Sequence, residues 1–505
     1  MAKTDEGHKL TDKELSKLER RITKLYREAG KELQGTIDAY FEQFKKRDEE
    51  MKALIGTVQN GKEWTEADYK QWRLNQIGRG ERYQAMRDKV AHRVTDANAV
   101  AVSYTNDATP GIYSLNRNYA AYTIESVAGD VGFDLWDEQT VKRLVVEQPG
   151  LMPYYPKNRA LKRGIALAYG KKQITASVTS SILQGKSIKG MADDLQRRII
   201  TMGRSSAIRT ARTAVTGAQN AGRMDSYAAA EKMGIKLKKQ WLATLDNRTR
   251  HSHAMLDGEK VDQDKKFSNG CRFPGDPQGP AWEIYNCRCT LVADVDGVDT
   301  STGQRRAKNP VTGETEVISD MTYSEWAEQK QAEDAAAWNT YMKKGRNLST
   351  DTKQWQEYKS VLGNKVPNTV EKFQNLKYNE PDKWAQLKTM KRQTVFVNNA
   401  ECVTTPKKYT GYFLKDGAKH ADQFFDVGYT ADNPLQLRYD MARQFDMSKA
   451  VDVQELNGGA IMFNIYMTLG VTKQRTFLTG WIQDTPDSKP RIVTGFRKNK
   501  ENSHD

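Results

Sequence analysis

The sequence predicts a mainly α protein with α+β parts: a helical amino-terminal half, a small central α+β domain, and a separate carboxyl-terminal α+β domain with an antiparallel sheet. Three observations carry this. Apolar residues recur every three or four positions through most of residues 10–230. The period switches to two in "IKLKKQWLA", beginning at Ile235. Alternating stretches separated by turn residues then return near the end of the chain. The regions expected are a helical one at 1–155, the central α+β domain at 156–296, a linker and helical segment at 297–393, and an α+β accessory domain at 394–505.

Residues 10–50 read as one long amphipathic helix. Thr11 and Glu14 of "TDKE" offer a capping box. Leu15, Leu18, Ile22, Leu25, Ala29, Leu33, Ile37, Phe41 and Phe44 then form a stripe of the kind that packs on another helix. Helices follow through "YKQWRLNQI" and "GERYQAMRDKVAHRVTDANAVAVSYTND", with a break expected at Pro110 and Gly111. His92, alone on its helix, reads as structural or exposed. The helical pattern resumes from about 157 to 232, and Gly234 stands where a helix end places glycine. In the strand that follows, Ile235, Leu237 and Trp241 alternate with Lys236, Lys238 and Gln240, giving it one wet face. Residues 297–317 are polar and rich in turn residues, the pattern of a linker or flexible loop. A helical segment carrying Trp326, Trp338, Trp355 and Trp384 runs to about 390. In the last region "LQLRYDMARQF" reads as a helix, and "GAIMFNIYMTLG", "QRTFLTGWIQDT" and "RIVTGFRK" read as strands.

A chain of 505 residues that is 38% hydrophobic and 28% charged is expected to be soluble and globular. No apolar run approaches the roughly 18 residues a spanning helix needs, and the amino terminus lacks the apolar core of a signal peptide. Four cysteines argue against a disulfide framework and for folding in a reducing cytosol. Residues 151–250 hold twenty Lys and Arg against five Asp and Glu, a surplus equal to the +15 of the whole chain. So dense a basic stretch is expected to meet nucleic acid or an acidic protein face. Arg204, Arg209 and Arg212 on the preceding helix, with Lys236, Lys238 and Lys239, form the candidate patch. No aromatic residues interleave with them, so contact with phosphates or acidic side chains suits the patch better than base stacking.

Several apparent catalytic motifs dissolve. "GKS" at 185–187 has Ser180 where a phosphate-binding loop requires glycine. His251 and His253 are two apart, the wrong spacing for two metal ligands on one helix face. His251, His253, Cys271, Cys287 and Cys289 include enough soft ligands for a tetrahedral zinc, and a one-residue gap on an extended chain points both side chains to one face. Buried thiols with a loop histidine, or thiol catalysis, remain alternatives for the same residues.

Taken in order, the Arg-Thr helix with Asn220 and Tyr227, Gly234, the Trp241 strand, Asp246-x-Arg248-Thr249, Leu256-Asp257-Gly258 and Asn286-Cys287-Arg288-Cys289 resemble the phage head morphogenesis family of Mu F-like minor head proteins. The likeness covers about 160–295 and weakens through the helical half. It departs from the family at Ala214, where Glu is usual after Arg-Thr, and at Arg250, where Cys is common, which puts any metal or polar site in question. The resemblance implies a minor capsid protein without catalysis, docking through its helical amino-terminal region on the phage portal protein. Capsid or scaffold proteins and genomic DNA would be further partners, with no membrane and no cofactor beyond a structural zinc. It would assemble in the host cytoplasm, reside in the virion at the head interior or portal vertex, and assist head assembly and DNA packaging or ejection. The last region resembles domains found behind such head proteins and in bacterial toxins, and small RNase-like folds. That likeness implies His420 as general base and Arg491 as charge stabiliser, with Thr479 and Thr494 beside them. The alternatives there are a delivered RNase-like toxin and a plain accessory domain.

Overall fold

The computed structural model describes residues 5–147, 167–300, 303–456, 459–485 and 487–497. It forms two compact units, residues 1–339 and 340–505. The expected boundary at 155/156 and the start of the helix expected near 157 lie outside the described residues.

In the first unit α1 (Glu6–Glu42) begins at Asp5, whose carboxylate accepts from the His8 amide at 2.8 Å. Thr11 therefore lies a turn inside the helix rather than capping it. Its hydroxyl donates to the Gly7 carbonyl at 2.8 Å and accepts from Asn116 at 2.8 Å. Leu18, Ile22, Tyr26, Ala29, Leu33, Ile37 and Phe41 are buried along one face. The helix stops at Glu42 and resumes as α2 (Lys45–Ala53), so residues 10–50 are two helices rather than one. After α3 (Glu66–Gln76), α4 (Glu81–Ala128) runs straight through Pro110, where a break was expected. Proline leaves the Asn106 carbonyl without its amide donor. The Thr109 hydroxyl donates to that carbonyl at 3.3 Å, and burial of Thr109, Pro110, Ile112 and Tyr113 holds the turn in place.

α5 (Glu138–Glu147) and α6 (Leu167–Leu183) follow. Ser187 of the "GKS" stretch caps α7 (Ile188–Gln196) by accepting from the Gly190 amide at 3.1 Å. After a π-helical turn, α8 (Met202–Lys232) ends with Gly234 at φ +88° and the Ile235 amide on the Ala230 carbonyl at 3.0 Å. The chain then builds an antiparallel sheet from β1 (Leu237–Leu242), β2 (Lys260–Asp262), β3 (Thr290–Val295) and β4 (Val298–Asp299), in the order β2-β1-β3-β4. Trp241 lies opposite Leu291 in the register. Two short helices, α9 (His251–Leu256) and α10 (Ala281–Ile284), sit in the connection between β1 and β3. Apolar residues of α1, α4 and α8 share one core with Trp241, Leu291 and Ala293 of the sheet.

Much of the stretch expected as a linker is a hairpin, β5 (Gln304–Lys308) and β6 (Thr315–Ser319). Arg305 and Ala307 point inward from it, and the Asn309 side chain closes its turn by accepting from the Val311 and Thr312 amides at 2.9 and 3.1 Å. α11 (Tyr323–Glu333) begins at a capping box of Thr322 and Glu325.

α12 (Ala335–Leu362) leads to α13 (Val370–Asn379) and α14 (Pro381–Asn399), which pack around Phe373, with Tyr358 stacked on Trp384. Beyond α15 (Pro434–Gln444), the second unit carries β7 (Val451–Glu455), β8 (Ile461–Leu469), β9 (Arg475–Gln483) and β10 (Arg491–Arg497), an antiparallel meander in the order β10-β9-β8-β7. Phe463, Ile465, Met467, Phe477 and Trp481 fill its core. The fold is thus mainly helical with two small antiparallel α+β parts, as the sequence predicts. Among the described residues no helix is long and apolar enough to cross a membrane.

Candidate functional site

The polar residues of the central region converge on one face of α8. Helical spacing brings Thr213, Thr216, Gln219, Asn220, Arg223 and Ser226 together there, all buried. Asn220 is fully buried and holds three chain segments. Its amide nitrogen donates to the carbonyls of Thr216 (3.0 Å), Pro274 (3.1 Å) and Cys289 (3.2 Å), and its oxygen accepts from the Leu291 amide at 2.9 Å. Thr216 donates to the Cys287 carbonyl at 2.7 Å, and Thr213 accepts from the amide of Asn286, which is left-handed at φ +59°. Arg223 donates to the Leu291 carbonyl at 2.7 Å and pairs with Asp5 at 2.8 Å. Burial works against the Asp5 carboxylate, but the Arg223 guanidinium more than offsets it and holds the carboxyl below its usual range.

The turn after β1 is tied down in the same way. Asp246 accepts from the Arg248 amide at 2.9 Å and from both terminal nitrogens of Arg288. Asp257 accepts from the Ala243 amide (2.7 Å), the Tyr323 amide (2.6 Å) and Arg305 (2.7 Å), joining the sheet, the hairpin and α11. Arg250, where the family often has cysteine, reaches the carbonyls of Glu283 and Tyr285. Ala214, where glutamate is usual, is buried. A cavity of about 260 Å³ lies beside these groups, lined by Arg223, Arg288 and Arg305 among others. Each of these guanidiniums is already paired with a carboxylate, Arg223 with Asp5, Arg288 with Asp246 and Arg305 with Asp257.

Of the five candidate metal ligands, three meet. His253, Cys287 and Cys289 are buried with their ligand atoms all within 4.8 Å of one another. His251 is exposed at the start of α9, and Cys271 is buried outside the group against Gly279. The His253 ring stands edge-on to Trp241, and Glu283, which the sequence reading missed, lies 2.8 Å from its Nε2. Burial opposes ionisation of Cys287, but hydrogen bonds from Cys289 and the nearby Arg250 and Arg288 bring its thiol below the usual range; burial pushes Cys289 well above it. The group is too enclosed for a substrate to reach a thiol, so thiol catalysis does not fit it.

The candidate basic patch divides. Lys236, Lys238 and Arg209 are exposed and Arg204 is half-buried. Arg212 is drawn to Glu19 on α1. Lys239 is fully buried under the sheet, donating to the Gln263 carbonyl at 2.8 Å, and burial together with the charge of Arg272 pushes its ammonium down to about 8. It shares its face with Leu237 and Trp241, as the two-residue period places it.

In the second unit the four RNase-like candidates do not gather. Thr479 is fully buried, donating to the Ile465 carbonyl and accepting from Trp481. Arg491 is paired with Asp484 at 2.7 Å, Thr494 lies 3.4 Å from the Tyr412 hydroxyl, and His420 rests beside Phe496. Among the described residues no hydrogen bond or ion pair joins any two of the four.

Comparison with known proteins agrees with the geometry. Residues 172–292 match the family described as Phage Mu protein F like protein. The chain is 27% identical over 332 residues to "Minor head protein GP7" of Bacillus phage SPP1, covering 65% of this chain and 97% of that protein. It is 32% identical over 158 residues to "NAD(+)--arginine ADP-ribosyltransferase EFV" of Enterococcus faecalis, 31% of each chain. It is 33% identical over 126 residues to "Uncharacterized protein YqbB" of Bacillus subtilis, 24% of this chain and 40% of that one. No solved structure matches the chain at a significant level. Through the domain whose polar residues lace α8 to the sheet and its connecting loop, this chain is similar to the Mu F-like proteins of phage heads, and over 65% of its length to a phage minor head protein.

Proposed function

We propose that the chain is a minor head protein that docks on the portal protein of a tailed bacteriophage and sits in the virion at the portal vertex. There it assists head assembly and meets the genomic DNA during packaging or ejection. The observation that supports this most is the reach of the likeness to the SPP1 minor head protein, nearly the whole of which aligns along the chain. The architecture supports the same role. The buried charged groups Arg223, Asp246, Asp257, Arg288 and Arg305 and the Asn220 amide of the central region bind one another or the backbone, whereas an enzyme of acyl or phosphoryl transfer would leave donors aimed at a space for substrate. Exposed Lys236, Lys238 and Arg209 suit a polyanionic or acidic neighbour.

Two measurements test the proposal. Purified full-length chain is expected to co-migrate with the portal protein of its own phage in size-exclusion chromatography, and phage lacking the gene are expected to yield fewer infectious heads. Failure of both would sink the portal role. For the DNA contact, Lys236→Glu with Lys238→Glu is expected to weaken duplex binding and lower the slope of log affinity against log salt by about 2, near 0.9 for each phosphate that is no longer neutralised. Lys239→Met, by contrast, is expected to leave that slope unchanged, because its ammonium faces the interior. An unchanged slope in the double variant would remove DNA from the proposal.

A further inference from the structure

All four thiols of the chain are unbridged and buried, yet only two of them share a nitrogen. His253 Nδ1 lies 3.7 Å from Cys287 Sγ and 3.4 Å from Cys289 Sγ. The other ring nitrogen, Nε2, lies 2.8 Å from a Glu283 carboxylate oxygen, off the line of a hydrogen bond, and a proton held on that side leaves the Nδ1 lone pair facing the sulfurs. A single lone pair can accept one S–H hydrogen bond, so two sulfurs converging on it are more than a hydrogen-bonded core requires.

A metal accounts for all three atoms at once. With bonds of about 2.3 Å to sulfur and about 2.0–2.1 Å to nitrogen, a tetrahedral zinc sets sulfur and nitrogen about 3.6 Å apart. The two separations observed straddle that value. The Cys289 amide points at Cys287 Sγ at 3.5 Å, a donor that stabilises a thiolate. Two thiolates also cancel the charge of a divalent ion, removing the main cost of burying it. The carboxylate behind the histidine is the outer support that metal-bound imidazoles usually have.

We propose that His253 Nδ1 and the thiolates of Cys287 and Cys289 bind one zinc ion, with Glu283 orienting the histidine and one water completing the tetrahedron. The ion joins α9 to the segment entering β3 and so closes the intervening loop, whose only regular elements are the three-residue β2 and the four-residue α10. It acts as a cross-link that needs no oxidising environment. The inference does not depend on the portal or DNA contacts proposed above.

The test uses the full-length chain, purified under reductant without a His tag, with metal measured by inductively coupled plasma mass spectrometry. The expected result is one zinc per chain, lost in Cys287→Ser and Cys289→Ser and retained in Cys402→Ser. Because the cysteine variants can fail to fold, the wild-type chain is also stripped and reloaded with cobalt. Thiolate-to-cobalt charge-transfer bands with strong four-coordinate visible bands are expected. Glu283→Gln is expected to keep the bands and weaken zinc affinity about 10- to 100-fold in competition with a chromogenic chelator. A wild-type chain that takes up no zinc even on reloading overturns the site. So do zinc retained in Cys287→Ser, cobalt bound without thiolate bands, and a Cys287–Cys289 disulfide found by peptide mass under reductant.

Discussion

Asn220→Ala should cost the central domain far more than its small change in volume suggests. Asn220 is fully buried, and outside its own helix it serves the Pro274 carbonyl, the Cys289 carbonyl and the Leu291 amide, at 2.9–3.2 Å. Alanine leaves all three without that partner in a place solvent does not reach. A buried polar group stranded in this way costs about 1–3 kcal/mol, so the low end for each of three gives about 3 kcal/mol. At about 1.4 kcal/mol per decade, that raises the opening equilibrium roughly a hundredfold. Amide hydrogen exchange of the full-length chain, read by mass spectrometry, reports it locally. Peptides covering 214–224 and 286–295 should exchange about a hundred times faster in the variant, and peptides covering 461–483 in the second unit should be unchanged. An acceleration under about threefold would falsify the claim that this side chain clamps the domain. Equal acceleration in both units would point instead to a general loss of folding.

Two further variants probe other parts of the chain. Gly222→Ala lies mid-helix, where alanine is ordinarily favoured by about 1 kcal/mol, but a Cβ there falls 2.4 Å from the Tyr113 carbonyl of α4. The expected sign is therefore destabilising, by about 1–3 kcal/mol, seen as a lower unfolding midpoint; a raised midpoint would mean that α4 and α8 are not so closely packed. Asp351 is buried in the second unit, where burial works against its charge but Lys377 at 2.6 Å, with Gln374 and Tyr378, more than offsets it and holds the carboxyl below its usual range. A depressed folded value contributes stability that is present above the unfolded value of about 3.9 and lost as pH falls through the folded one. Asp351→Asn should accordingly cost about 2 kcal/mol at neutral pH, a deficit that shrinks below about pH 4; a deficit constant from pH 7 to pH 3 would refute the assignment.

The periodic elements were legible in the sequence because burial imposes the period. The α1 stripe from Leu18 to Phe41 and the alternation around Trp241 are where the spacing puts them, and Lys239 follows the same rule inward. Local features settled by distant partners were not legible. Pro110 reads as a break until Thr109 is seen to take up the stranded carbonyl, and Thr11 reads as a cap until Asp5 is seen to have started the helix. The hairpin at 304–319 is polar because the larger of its two inward residues, Arg305, is held by Asp257 nearly fifty positions away. No local pattern announces a partner at that distance.

The candidate site was half legible for a related reason. Two cysteines with one residue between them on an extended chain point the same way, so Cys287 and Cys289 could be paired from spacing alone. His253 could not be told from His251, nor Cys271 set aside, because the choice depends on how the turn after β1 folds back. That turn is set by Asp246 and Asp257, bound to Arg288 and Arg305. Arginine thus serves this domain as an internal tie, and the same holds within the basic stretch that suggested a polyanion partner. There Arg223 is buried against Asp5, Lys239 is buried against the Gln263 carbonyl, and Arg212 is drawn to Glu19. Part of the surplus charge of residues 151–250 therefore holds the domain together instead of facing outward. A surface for DNA or an acidic protein has to be sought among the cations that remain outside, which among the described residues include Lys236, Lys238 and Arg209 of the candidate patch together with Lys172, Lys189, Arg198 and Lys232. Net charge identifies a partner only after the buried pairs have been subtracted from it.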